Sequence, residues 1–168
     1  MDQSKNLSTI KRNIPRTSGV IVEGDKVLLM HRRNRGKEYY TFLGGGIEND
    51  ETPETALVRE VQEEASVEVV PKKLLYTVAW ENEAVEYFYL ADFVSGVPRL
   101  SPDSIEKKVM EKDLNQFYEP LWVEVKNIPD ILLYPLEIRD IFLEDLKESF
   151  SADTKKIALA RANARQTI

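Results

Sequence analysis

The chain contains no cysteine and one histidine, His31, among its 168 residues. That excludes disulfides, a thiolate nucleophile and any cysteine-based metal site, and it leaves a zinc centre without its usual soft ligands. No apolar run approaches the length that crosses a bilayer, so no membrane partner is expected. A surplus of positive charge is also missing. The formal net charge is −6, whereas a nucleic-acid polymer calls for a basic stripe. The acidity reads mainly as a solvated surface. Residues 1–16 are polar and aperiodic, and the reading expects an arm there, not a secretory leader. Together with the absent cysteines, this suits a cytoplasmic setting.

A hydrophobic content of 42% and a charged content of 31% are those of an ordinary globular domain. The length suits one domain over 1–168, with the arm at 1–16 and a basic, alanine-rich tail at 153–168 that reads as a helix or a frayed end. Thr17–Val22 and Lys26–His31 are β-rich and separated by Glu23-Gly24-Asp25, a hairpin signal. Tyr39–Leu43 is a short aromatic strand that runs into Gly44-Gly45-Gly46, where backbone can approach a ligand closely. Further strands are expected at Val67–Val70, Leu74–Trp80, Val85–Val94 and Leu121–Val125. Ser95–Glu119 reads as a long connection, and a second helix is expected from Pro135 to Phe150.

The segment after the glycines carries the chemistry. Thr52 suits an N-cap, Pro53 the first helical position and Glu54 the positive helix end. Leu57, Val61 and Ala65, with Val58 beside them, form an apolar stripe that would bury one side of this helix. Glu60, Glu63 and Glu64 stand at i, i+3 and i+4 and share another face. Like charges at that spacing repel, and a divalent cation would offset the repulsion. Hard oxygen ligands point to Mg²⁺, Mn²⁺ or Ca²⁺. The helix should stop near Ser66, where serine would need a costly left-handed conformation or another ending.

This stretch resembles the Nudix box, Gly-x5-Glu-x7-Arg-Glu-U-x-Glu-Glu-x-Gly-U, where U is a bulky aliphatic residue. Gly45, Glu51, Arg59, Glu60, Val61, Glu63, Glu64 and Val67 match, eight of the nine defined positions over 23 residues. Ser66 departs, standing where the box has its second glycine, and Leu43 replaces a frequent proline. The resemblance implies an α/β (α+β) fold, an α/β/α sandwich of a mixed β-sheet flanked by helices. It implies Gly44, Glu60, Glu63 and Glu64 as ligands of Mg²⁺, or Mn²⁺. It implies catalytic roles for Glu60 as base, Arg59 as its orienting partner and Glu51 as the brace of Arg59. An acid from the long connection, Glu106, Glu111 or Asp113, is the other reading of the base. Substrate contacts fall to Gly45, Tyr40 and Arg33, with Arg33 preferred over Arg32 and Arg35, because a guanidinium matches phosphate geometry. Tyr39, Phe42 and Trp80 are further candidates for stacking a base, while Trp122 resembles a core residue.

The implied activity is hydrolysis of the diphosphate linkage of a nucleoside diphosphate joined to another moiety, either a nucleoside triphosphate or an ADP-ribose-like compound. The implied partner is a small-molecule nucleotide, and dimerisation, common in the family, leaves a homodimer open. A catalytically silent nucleotide sensor is the alternative; such members lose box acids, and this chain keeps them. The isomerase branch of the family relies on a cysteine that is absent here. A calcium-binding helix-loop-helix reading fails because no D-x-D-x-D-G loop is present.

Overall fold

The computed structural model describes residues 14–81 and 84–160. The arm expected at 1–16 therefore lies largely outside the described residues. From Arg16 the chain is already strand β1 (Arg16–Glu23), which turns at Gly24 into β2 (Lys26–Asn34). Next come β3 (Lys37–Thr41), β4 (Leu43–Gly46) and helix α1 (Pro53–Ala65). Strands β5 (Val67–Trp80) and β6 (Glu86–Gly96) follow, then helix α2 (Ile105–Lys112) and β7 (Gln116–Glu124). A 3₁₀ turn (Val125–Asp130), β8 (Leu133–Tyr134), α3 (Leu136–Lys147) and β9 (Lys155–Leu159) complete the described residues.

The strands join in one mixed sheet, in the order β8-β3-β2-β1-β6-β5-β9, with β4 on β1 and β7 on β2. β1 runs parallel to β6 along Arg16–Ile21, while on its other side Arg16–Gly19 pair antiparallel with Leu43–Gly46. That places the three glycines directly under α1.

Alternation along the strands supplies one core to each face. Ile21, Leu28, Met30 and Leu43 pack with Leu57, Val61 and Ala65 of α1. Val20, Val27, Leu29 and Phe42 pack with Ile138 and Phe142 of α3 on the opposite face. Helix, sheet and helix thus form the expected sandwich. Val58, read as part of the buried stripe, is 39% exposed.

Three expectations are corrected. β5 runs unbroken through Pro71, its ladder shifting register there instead of ending. The long connection is not all loop. Ser104 caps α2 by accepting from Lys107 N, and β6 and β7 extend into the segment from both ends. The tail holds a strand, not a helix, over Lys155–Leu159. There, pairing parallel to β5 along Tyr76–Trp80 outweighs the local helix preference of its alanines. Residues 161–168 of that tail lie outside the described residues.

Candidate active site

α1 begins as its sequence dictates. Thr52 Oγ1 accepts from Thr55 N, Thr55 Oγ1 accepts from Thr52 N, and Pro53 opens the helix. It ends at Ser66 in the left-handed conformation (φ 55°, ψ 37°), with the Ser66 N–H bonded to Gln62 O. The chain accepts about 1–2 kcal/mol of backbone strain there in place of a glycine.

Arg59 ties this helix to the loop before it. Its Nε donates to Glu51 Oε1 at 2.6 Å, and its Nη2 to Glu51 Oε2 at 2.8 Å and to Gly46 O at 3.0 Å. Arg59 Nη1 donates to Glu60 Oε1 at 2.9 Å. These bonds hold the Glu51 carboxyl down at about 2 and push the Arg59 guanidinium further up. Glu51 also accepts from Glu48 N at 3.1 Å, which closes the loop on itself.

Glu60 is seated against Gly45, whose missing side chain makes the room. A Cβ on Gly45 would lie 2.2 Å from Glu60 Cδ. With 16% of its side chain exposed, Glu60 has its pKa raised by burial, against the lowering pull of Arg59. One turn on, Glu64 is buried, with 7% of its side chain exposed. It accepts from Gly44 N at 2.9 Å and lies 3.9 Å from Arg32 Nη2. Burial pushes its carboxyl up to about 8, opposed by Arg32 and helped by Glu106 of α2. Arg16 Nη2 approaches the Gly44 carbonyl at 3.5 Å. A cleft of about 670 Å³ opens beside Glu60, bordered by Ile14 and the Gly46–Glu51 loop.

A half-buried and a buried carboxylate one turn apart, with incomplete neutralisation, form an oxygen donor set that suits a hard divalent ion. Glu63 is set apart. It is 57% exposed and lies 3.5 Å from Arg59 Nη1. Among the described residues, no three His, Cys, Asp or Glu side chains are gathered closely enough to hold a metal ion as they stand. The sequence therefore brings Gly44, Gly45, Glu51, Arg59, Glu60 and Glu64 together, with Glu63 on their rim.

Arg33 and Tyr40 are not brought there. Strand alternation sends Arg32 and Met30 to the α1 face and Arg33, with Leu29 and His31, to the α3 face. Arg33 stands over the Phe117 ring at 5.1 Å, and Tyr40 stacks on His31 at 4.8 Å. Phe42 is core. Trp80 donates to Glu86 at 3.0 Å, and Trp122 meets Phe93 edge-on, as a structural residue would. The basic and aromatic pair beside the acids is instead Arg32 over Tyr118, 5.3 Å to the ring centroid, with the Arg32 Nε buried and without a partner. The signal for Arg32 was available as strand parity, given that α1 packs on the Met30 face. Of the alternative bases, Glu106 alone is near enough to Glu64 to act on its charge.

The profile of the NUDIX domain matches residues 13–140. The chain is 33% identical over 101 residues to the NAD-capped RNA hydrolase NudC of Photorhabdus laumondii, covering 56% of this chain and 39% of that protein. It is 51% identical over 41 residues to the 8-oxo-dGTP diphosphatase of Proteus vulgaris, covering 24% of this chain and 37% of the other. The chain thus spans well under half the length of these relatives. Among solved structures, a NUDIX hydrolase from Nitrosomonas europaea superposes with a TM-score of 0.66 at 17% identity, over 91% of this chain and 82% of that one. An ADP-ribose pyrophosphatase from Streptococcus suis superposes with a TM-score of 0.60 at 18% identity, over 87% and 98% of the two chains. At such identities the superpositions speak for the fold. With its profile match over most of the chain and eight box positions in place, the chain belongs to the NUDIX domain family.

Proposed function

We propose that this protein is a divalent-metal-dependent pyrophosphohydrolase. It cleaves the diphosphate linkage of a nucleoside diphosphate joined to another moiety. The observation that carries the reading is the seating of Glu60. Its carboxylate is fixed by Arg59, given room by Gly45 and set one turn from the buried Glu64. The similarity to an NAD-capped RNA hydrolase and to an 8-oxo-dGTP diphosphatase supports the same class.

Glu60, Glu63 and Glu64, with the carbonyl of Gly44, are the oxygens that would hold Mg²⁺ or Mn²⁺. Such an ion, when bound, neutralises the diphosphate and polarises it toward attack. The protein's own groups do the rest. Water attacks one phosphorus, the bridging P–O bond breaks, and two phosphate-bearing products leave. Glu60 takes the proton of the water, and the upward pull of burial on its carboxyl makes it a better acceptor near neutral pH. Arg59 orients Glu60, and Glu51 braces Arg59. Arg32, backed by Tyr118 and 3.9 Å from Glu64 through its Nη2, faces the phosphates from the Glu64 side with its guanidinium charge. The partner is a small-molecule nucleotide, since net charge and an acidic loop beside the site both oppose a polymer.

The test is a nucleotide panel with Mg²⁺, NAD-capped RNA included, in which released monophosphates are detected after phosphatase treatment. Turnover is expected, and Glu60→Gln should lower it by about 10³-fold or more with the melting temperature preserved. A silent panel would favour the nucleotide-sensor reading instead. Near-normal rates in the Glu60→Gln protein would move the base to Glu106.

A further inference from the structure

Arg16 opens β1 with its backbone fixed on both sides. Its N–H donates to Val85 O at 3.0 Å, and it stands in register with Gly46 of β4 and Glu86 of β6. Alternation sets Arg16 on the α3 face with Val20, yet its Nη2 reaches to 3.5 Å from the Gly44 carbonyl oxygen. That is long for a hydrogen bond, and it holds the guanidinium loosely. Glu86, its neighbour in the ladder, is engaged elsewhere, accepting from Ser18 Oγ at 2.7 Å and from Trp80 Nε1 at 3.0 Å. Among the described residues, no carboxylate lies within ion-pair distance of Arg16. Its charge is nevertheless felt inside the site. Burial pushes the Glu60 carboxyl up, while Arg59 and, more weakly, Arg16 pull it down.

The Gly44 carbonyl therefore has two claimants. A divalent ion held by Glu60 and Glu64 would take this oxygen at about 2.1 Å, which with the 3.5 Å contact limits the separation of ion and guanidinium to about 6 Å. Even in a water-like dielectric, a double and a single positive charge at that distance repel enough to shift an equilibrium about tenfold. We propose that Arg16 is a built-in competitor of the divalent ion: guanidinium and ion exclude one another at the Gly44 oxygen, so Arg16 sets how tightly the ion is held. Arg16 is not itself a ligand; it acts through the Gly44 oxygen. The inference rests on the reading of Gly44, Glu60 and Glu64 as ligands of the ion.

Two measurements test it, both without nucleotide and without turnover. The first is Mn²⁺ binding, followed by the electron paramagnetic resonance signal of the free ion, with a thermal melt in EDTA to check that each variant folds. The Arg16→Gln protein should bind Mn²⁺ about tenfold more tightly than the unaltered protein, whereas Arg16→Lys, which keeps the charge, should stay within about threefold of it. Unchanged or weaker binding by Arg16→Gln would overturn the proposal, as would a lysine protein that binds as tightly as the glutamine one. The second measurement needs no variant. In ¹⁵N spectra of the unaltered protein titrated with Mg²⁺, the Arg16 Nε–H signal, assigned through its own backbone, should shift together with the Gly45 and Glu60 amides at one common Kd. Amides that move while the Arg16 signal stays fixed would refute the competition and leave the ion site standing. If none of these signals moves, the ion site and the competition fall together.

Discussion

Replacing Gly45 by alanine isolates the seating of Glu60 from everything else in the fold. The new methyl group would lie 2.2 Å from Glu60 Cδ and 2.3 Å from each carboxylate oxygen. That is about 1 Å short of ordinary contact. Gly45 does not need the left-handed backbone that glycine favours, so the substitution carries no penalty of that kind. What must give is the far end of one flexible side chain. Stability should suffer little: losing the Arg59–Glu60 bond costs about 1 kcal/mol, or about 2–4 °C in Tm for a domain of this size. Catalysis should suffer much more, because moving a reacting group by about 1 Å lowers rates by about 100-fold. The assay is monophosphate release from ADP-ribose in Mg²⁺ with coupled phosphatase, beside a thermal melt of the same preparation. A Gly45→Ala protein with near-normal kcat would refute the placement of Glu60 at the reacting atoms. A collapse of Tm would show that Gly45 is needed for folding, not for the site.

Arg32→Ala should raise KM by about tenfold, from the loss of one charge-assisted bond, while Arg33→Ala leaves it unchanged; steady-state kinetics on both variants decides this. Glu51→Gln tests the brace by its pH dependence. The folded carboxyl titrates at about 2, against an ordinary 4.5, so its stabilisation is present above 4.5 and is lost as pH falls through about 2. The Tm gap between the unaltered and Glu51→Gln proteins should therefore be constant near neutrality and shrink on acidification; a widening gap would contradict the assignment. Asp145→Ala should cost about 2 kcal/mol, about 4–8 °C in a thermal melt, because the buried Tyr76 hydroxyl loses its acceptor.

Much of this site can be read directly from the chain. Thr52, Pro53 and the Leu57–Val61–Ala65 stripe fix the start and orientation of α1, and spacing alone puts Glu60 and Glu64 on one face. The Glu51–Arg59 brace is also local, spanning the loop-to-helix junction. What was not legible depends on contacts between distant segments. Arg32 and Arg33 are chemically alike neighbours, and only the covering of one sheet face by α1 decides which meets Glu64. The eight-residue α2 is too short to show a periodic stripe, although Ser104 was a usable cap signal. The tail from Lys155 carries alanines that favour helix, and its strand conformation comes from an open edge of β5 that local propensity does not reveal. Glu63 shares the box spacing but turns to Arg59, a choice of side-chain rotamer that spacing leaves open.

The profile of the family ends at residue 140, yet the fold does not. Lys155 Nζ bonds Asp145, Lys73 Nζ bonds Phe150 O and Ala152 O, and Thr154 Oγ1 bonds Leu74 O. A chain trimmed to the matched span would strip β9 from the rim of β5 and leave a row of bare amide and carbonyl groups there. Such rims recruit strands from other molecules, so the shortened protein should aggregate even with every box residue intact.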